Sequence, residues 1–141
     1  MLGLRDLFPL SHSQLQVLKR ALSNVLPSSP PDVKMTVAIT EIEAWFVQED
    51  LHFPKINPAC TPQAILQKTG FDIEKDTSEG LAQPSKFLRE AYHIGKTTYN
   101  KKKRLVVRTI SSLDMENLYL NKRSLLTSFD EFVSNIEGFL Q

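Results

Sequence analysis

Two glutamates, Glu41 and Glu43, fall in the stretch V-A-I-T-E-I-E-A-W-F from Val37 to Phe46, where a β-prone segment runs straight into a helix. Carboxylates at such a handover can gather a divalent cation, because hard ions such as Mg²⁺ take oxygen ligands and complete their octahedron with water. Asp6 ends an earlier run in which Leu2, Leu4 and Leu7 alternate weakly with charged residues. If both runs are parallel strands, Asp6 and Glu41 emerge just past their carboxyl ends, where open α/β sheets collect ligands. Asp6, Glu41 and Glu43 are therefore the candidate metal ligands, and Mg²⁺ the candidate cofactor. Each acid also has a plain structural alternative. Thr40 with Glu43 three positions on matches a capping box, worth ~1 kcal/mol of helix stability. Glu41 sits where a helix dipole favours a negative charge.

The second cluster is basic. Between Ala91 and Leu113 there is no acidic residue, yet Lys96, Lys101, Lys102, Lys103, Arg104 and Arg108 all fall there, with Thr97 and Tyr99 interleaved. Such a segment can track phosphates, Tyr99 offering a ring or a hydroxyl, and Lys86 lies a short way upstream. The alternative is a solvated turn whose lysines keep the chain soluble. Other reactive side chains give little. His12, His52 and His93 lack metal-ligand spacing and suit surface or capping roles. Cys60, the single cysteine, excludes an internal disulfide and any Cys-rich zinc site. It precedes a helix start, which could lower its pKa, but no base is placed near it in the sequence. No Gly-rich phosphate loop, nucleophile elbow or zinc pattern is present.

The elements that must position these groups follow from periodicity. With 141 residues, 41% hydrophobic and 23% charged, the chain suits one soluble domain, and a net charge of +1 leaves any attraction to nucleic acid to local clustering. Leu2 to Leu7 predicts a short strand stopped by Pro9. Ser11 and Gln14 predict a capping box ahead of a helix striped by Leu15, Leu18, Leu22, Val25 and Leu26. Pro27 and the S-S-P-P run predict a tight loop, and Val33 to Ile39 a second, buried strand. Strand, helix, strand in this space is the βαβ pattern, which favours parallel pairing.

Beyond Thr40 the chain reads as helical. Ala44, Trp45 and Phe46 sit in a short helix as core residues, followed by an irregular link through His52-Phe53-Pro54 and Asn57-Pro58. Thr61 and Pro62 predict a capped helix stopped by Gly70. Pro84 opens another, with Phe87, Leu88, Ala91 and Tyr92 on one face. An amphipathic helix lies within Ser124 to Leu140, striped by Leu125, Leu126, Phe129, Phe132, Val133, Ile136, Phe139 and Leu140. Asp72 to Gly80 reads as a flexible surface loop. The opening residues, broken by Arg5, Asp6 and Pro9, form neither a secretory signal nor a membrane span, which predicts a cytoplasmic protein with no membrane partner. The expected class is α/β: a small parallel sheet followed by a mostly helical C-terminal extension.

The strand leading into E-I-E-A-W-F, with Glu49-Asp50 after it, resembles the E-x-E-A-W-[LF] signature of a Toprim-like bacterial family of domains of unknown function. The downstream order is similar too. It runs from a proline-led helix (Pro84, Lys86, Leu88) through a Tyr-x-Lys step (Tyr99, Lys101) to a terminal amphipathic helix with a serine near its start. The similarity spans roughly Leu2 to Phe139. Toprim domains as a class place a glutamate after an early strand and a D-x-D-like pair after a later one, and use Mg²⁺ on nucleic-acid phosphodiesters. The resemblance implies that Asp6 matches the later acid, with Glu41 and Glu43 matching the family's own signature. Two departures stand out: the position two after Asp6 is Phe8, and the early glutamate would lie upstream of Met1. The likeness is thus to the rear portion of such a domain, residues 1–50 forming a partial Toprim-like part and 51–141 the helical extension of a single domain.

Two strands alone leave a sheet edge open, which predicts a second copy (a homodimer) or a partner subunit in place of the missing strands. Three functional readings follow. The first is a non-catalytic or partner-dependent nucleic-acid-associated protein. The second is a Mg²⁺-dependent phosphoryl-transfer or nuclease-like enzyme. The third is a structural fragment acting only in a complex. The missing acids favour the first and third.

Overall fold

The computed structural model describes residues 1–26 and 33–141; the loop expected at Pro27 and S-S-P-P lies outside the described residues. Strands β1 (Leu2–Asp6) and β2 (Lys34–Ala38) pair in parallel, with Leu2 opposite Lys34 and Asp6 opposite Ala38. Helix α1 (Leu15–Val25) lies between them in sequence, entered through a 3₁₀ turn at His12–Gln14. There the Gln14 Oε1 accepts the Ser11 N–H at 3.0 Å, the contact expected of the capping box. The helix is peripheral: of its apolar stripe, Val25 is 76% exposed and the leucines are only half-buried. Among the described residues the sheet has these two strands only. The chain is α/β, with a helical C-terminal part.

That part comprises α2 (Glu43–Gln48), α3 (His52–Ile56), α4 (Pro62–Thr69), α5 (Pro84–Ile94), α6 (Lys103–Ser112), α7 (Met115–Asn117) and α8 (Thr127–Leu140). Local chemistry sets several boundaries. The Thr61 hydroxyl accepts the Ala64 N–H at 3.1 Å, Pro62 takes the first helical position, and Gly70 ends the helix at φ 74°, a conformation glycine adopts without a Cβ penalty. Phe87, Leu88, Ala91 and Tyr92 of α5 are buried as their spacing requires. On α8, Phe129 and Val133 are buried, whereas Phe139 and Leu140 run past the core and stay exposed. Trp45 anchors α2 against α8, its ring 5.2 Å from Phe129 and 5.4 Å from Phe132. No helix among the described residues is long and apolar enough to cross a membrane.

Two stretches differ from expectation. His52-Phe53-Pro54 is helical, because Pro54 falls in the first turn, where no backbone N–H partner is lost. The Asp72–Gly80 segment is packed, with Ile73 and Ser78 fully buried. The Ser78 hydroxyl donates to the Ala44 carbonyl at 2.6 Å. The buried Glu79 carboxylate accepts the Thr127 and Ser128 N–H groups, each at 2.9 Å, and so caps α8. The polarity that suggested a mobile loop instead serves targets elsewhere in the chain.

Candidate functional site

Pairing continues beyond the strands: the Leu7 N–H donates to the Ala38 carbonyl at 3.0 Å and the Phe8 N–H to Thr40 at 2.7 Å. Asp6 is thereby held beside residues 39–42. Thr40 turns the backbone at φ 63°, and α2 begins three residues later. The expected Thr40–Glu43 capping box does not form. Thr40 bonds its hydroxyl to the Ile39 carbonyl at 2.6 Å, and Asp6 Oδ1 accepts the Ile42 N–H at 2.8 Å, satisfying the helix start from the neighbouring strand.

Glu41 and Glu43 are both 3% exposed. The Glu41 carboxylate accepts the Ser85 N–H at 2.9 Å and the Ser85 hydroxyl at 3.1 Å, so it caps α5, where the helix dipole favours an anion. Glu43 Oε1 accepts the Tyr99 hydroxyl at 2.8 Å, and its Oε2 has no hydrogen-bond partner. At the centre stands Lys101. Its Nζ lies 2.8 Å from Glu41 Oε1, 3.6 Å from Glu43 Oε2 and 4.0 Å from Asp6 Oδ2. The three candidate acids do converge, on a lysine of the basic segment.

Burial opposes charge on both glutamates, with opposite outcomes. At Glu41, the Lys101 and Ser85 hydrogen bonds outweigh burial and hold the carboxyl below its ordinary value. At Glu43, burial outweighs Tyr99 and Lys101 and pushes it up. Burial would lower Lys101, but Glu41, Glu43 and Asp6 together raise it. Burial and the Glu43 charge raise Tyr99.

Magnesium requires near-octahedral oxygen ligation at about 2.0–2.1 Å. Here Asp6 Oδ1, both Glu41 oxygens and Glu43 Oε1 already accept protein donors, and the ammonium occupies the space between them. Among the described residues no group of three or more His, Cys, Asp or Glu is placed to hold a metal ion. With Lys101 seated, the residues do not fit a resident Mg²⁺.

The basic residues divide. Lys96, Lys102, Lys103 and Arg104 are exposed, the last three around the start of α6, and Lys86 is exposed on α5 at 4.0 Å from Glu90. Arg108 turns inward, donating to the Thr98 carbonyl and lying 5.7 Å from the centre of the Tyr92 ring. Tyr99, expected on the same surface, is 1% exposed and has no open face for a base. Its place between lysines suggested a surface ring, but its hydroxyl is needed by a buried acid. A cleft of about 410 Å³ opens beside Lys101, bounded by Phe8, Lys86, Arg89 and Asn100, with Glu41 in its wall. Phe8 and Arg89 were not singled out from the sequence. The Lys86-x-x-Arg89 spacing, which puts two cations on one helix face, was the available signal.

A second polar cluster lies in the core. Glu49, fully buried, accepts the Leu51 N–H at 3.0 Å, the Asn117 side-chain amide at 2.7 Å and the Asp114 N–H at 3.2 Å. His52 Nε2 shares a hydrogen bond with the Tyr92 hydroxyl at 2.9 Å, which continues to Thr109 at 3.1 Å. Lys122 pairs with Asp50 at 2.9 Å. His52 is thus a core residue, not the surface or capping histidine its isolation suggested. Cys60 is also buried, and burial raises its thiol instead of activating it. These contacts tie α3, α5, α6 and α7 together. Comparison with family models, with curated proteins and with solved structures gives no match for this chain.

Proposed function

We propose that this chain is a non-catalytic, cytoplasmic nucleic-acid-associated protein of Toprim-like descent. The observation that carries this reading is the Lys101 ammonium among Asp6, Glu41 and Glu43. Metal-assisted phosphodiester cleavage needs an ion that both polarises phosphate and activates water. A tethered ammonium with no open coordination position does neither. It does anchor the basic segment, so that Lys102, Lys103 and Arg104 project from a fixed point. Parallel strands bring Asp6 beside Glu41, and the lysine ammonium stands between the acids where a metal would have to sit.

Fluorescence anisotropy with labelled oligonucleotides tests the reading. Affinity should fall steeply with salt. Neutralising Lys102, Lys103 and Arg104 together should weaken binding at least about ten-fold at low salt and reduce the salt slope by roughly 2–3 on duplex DNA. Unchanged affinity in that variant would remove the proposal. No cleavage is expected with Mg²⁺ or Mn²⁺. Metal-dependent cleavage abolished by Glu41→Gln would reinstate the phosphoryl-transfer alternative.

The partner-dependent part of the proposal draws on the outer edge of β1. The Lys34 N–H bonds to the Met1 carbonyl and the Leu7 N–H to Ala38, so by alternation the backbone groups of Leu2, Leu4 and Asp6 point away from β2. Among the described residues they have no partner. Antiparallel pairing of two copies about Leu4 would satisfy all of them, since Leu2 then faces Asp6 of the other strand. Light scattering should show a dimer, and Leu4→Lys should give a folded monomer. A wild-type monomer at every concentration would dismiss this arrangement.

A further inference from the structure

We propose that the cleft beside Lys101 seats one unstacked nucleotide of a single strand, its base against Phe8 and its phosphate between Lys86 and Arg89. The inference rests on the nucleic-acid reading above and narrows it to single strands. Phe8 is 47% exposed, yet its backbone is pinned by the bond to Thr40, so the ring is held at the cleft mouth. Tyr99, the other ring lining the cleft, is buried, which leaves Phe8 as the ring with an accessible face. Lys86 and Arg89 are one turn apart on α5. Among the described residues Arg89 has no ion pair, and the only one Lys86 makes is the 4.0 Å contact to Glu90.

The polar lining suits a base. The side-chain oxygen of Asn100 accepts the Lys102 N–H at 2.9 Å, which leaves its amide hydrogens for a ligand, and Gln83 adds a second exposed amide. Glu41 in the wall is paired with Lys101 at 2.8 Å, which leaves Lys86 and Arg89 as the lining cations without a close carboxylate. A volume of about 410 Å³ lies within the range of small-ligand sites. Aromatic stacking on one base and cations on its phosphate are how proteins hold single strands without reading their sequence. A base inside a duplex is already stacked on both faces and cannot meet Phe8.

The test uses a labelled oligothymidylate and a duplex of equal length, titrated with the full chain and with Phe8→Ala, Phe8→Trp and Arg89→Ala. Phe8→Ala should weaken oligothymidylate binding about ten-fold or more while leaving duplex affinity unchanged. Phe8→Trp should restore binding, its added indole emission falling as the oligonucleotide is bound. Arg89→Ala should weaken the single strand more than the duplex. Thermal melts confirm folding, since the Phe8 ring is half-exposed. If Phe8→Ala leaves both ligands untouched, or weakens both equally, the seat is overturned while the Lys102–Arg104 surface stands. If the wild type binds neither oligonucleotide, both readings fall.

Discussion

Lys101→Ala should lose about 2 kcal/mol of stability at neutral pH, and the loss should narrow as the pH falls towards 4.5 and close only below it. Removing one partner of a fully buried ion pair typically costs about 3–5 kcal/mol, because a charge is left uncompensated. The Lys101 side chain is 53% exposed, so solvent screens part of that, and the lower figure applies. What remains is repulsion between Glu41 and Glu43 and the burial of Glu43 Oε2, which has no hydrogen bond to replace the ammonium.

The pH dependence above 4.5 follows from Glu43, while Glu41, held below its ordinary value by Lys101 and Ser85, carries its share to lower pH. The folded pKa of Glu43 lies above the reference value of 4.5, so at a pH between the two the folded state holds a proton that the unfolded chain has released. Its contribution is most favourable below 4.5 and is lost as the pH rises through the folded value. Without Lys101 that folded value rises further, and the penalty at neutral pH grows. Urea titrations at neutral pH and near pH 4.5 decide the matter; an equal loss at both would contradict the assigned cause. The same variant tests the metal argument. Wild-type protein should melt identically with Mg²⁺, Mn²⁺ or a chelator, whereas Lys101→Ala, with three facing carboxylates and no cation, should be stabilised by Mn²⁺. A wild-type melting temperature that climbs with Mg²⁺ would return the metal to the centre.

The convergence of Asp6 with Glu41 was legible because it needs only two short strands, a helix between them and the parallel pairing this pattern favours. Helix ends at Thr61-Pro62, Gly70 and Pro84 were legible for a similar reason: hydroxyl, imino and glycine effects act within a few residues. The cation at the centre was not. Lys101 belongs to a run of four basic residues whose members look alike in sequence, and only the tertiary fold sets its ammonium against the three acids. Glu79 and His52 were missed on the same grounds, since each serves a partner about forty to fifty residues away. Phe8 attracted notice only as a missing second acid. Its position at the cleft mouth depends on α5, which arrives from the far half of the chain.

Glu49→Ala should be the most damaging single change in the chain, at about 3–5 kcal/mol, enough to unfold a marginally stable domain. The carboxylate is fully buried and receives the Leu51 and Asp114 N–H groups and the Asn117 amide. Alanine strands all three donors away from water, each costing about 1–3 kcal/mol when unsatisfied, though the three do not add independently. Glu49→Gln keeps one acceptor but turns an NH₂ towards a donor, so it should fall between alanine and wild type. The acid dependence differs from that of Lys101. Burial raises Glu49, but the neighbouring His52 ring at 3.6 Å and the hydrogen bonds from Asn117 and Asp114 prevail and bring it below 4.5. Its stabilisation is therefore complete above 4.5 and is lost as the pH falls through the lowered folded value. The gap between wild type and Glu49→Ala should stay constant from neutral pH to about 4.5 and narrow only below it, whereas the Lys101→Ala gap begins to narrow above 4.5. The cluster around Glu49 fixes α3, α5, α6 and α7, and α5 carries Lys86 and Arg89. Any surviving Glu49→Ala protein should accordingly lose oligonucleotide affinity without touching the ligand. A variant within about 0.5 kcal/mol of wild type, the range of an ordinary surface substitution, would mean that these hydrogen bonds do not hold the helical part together.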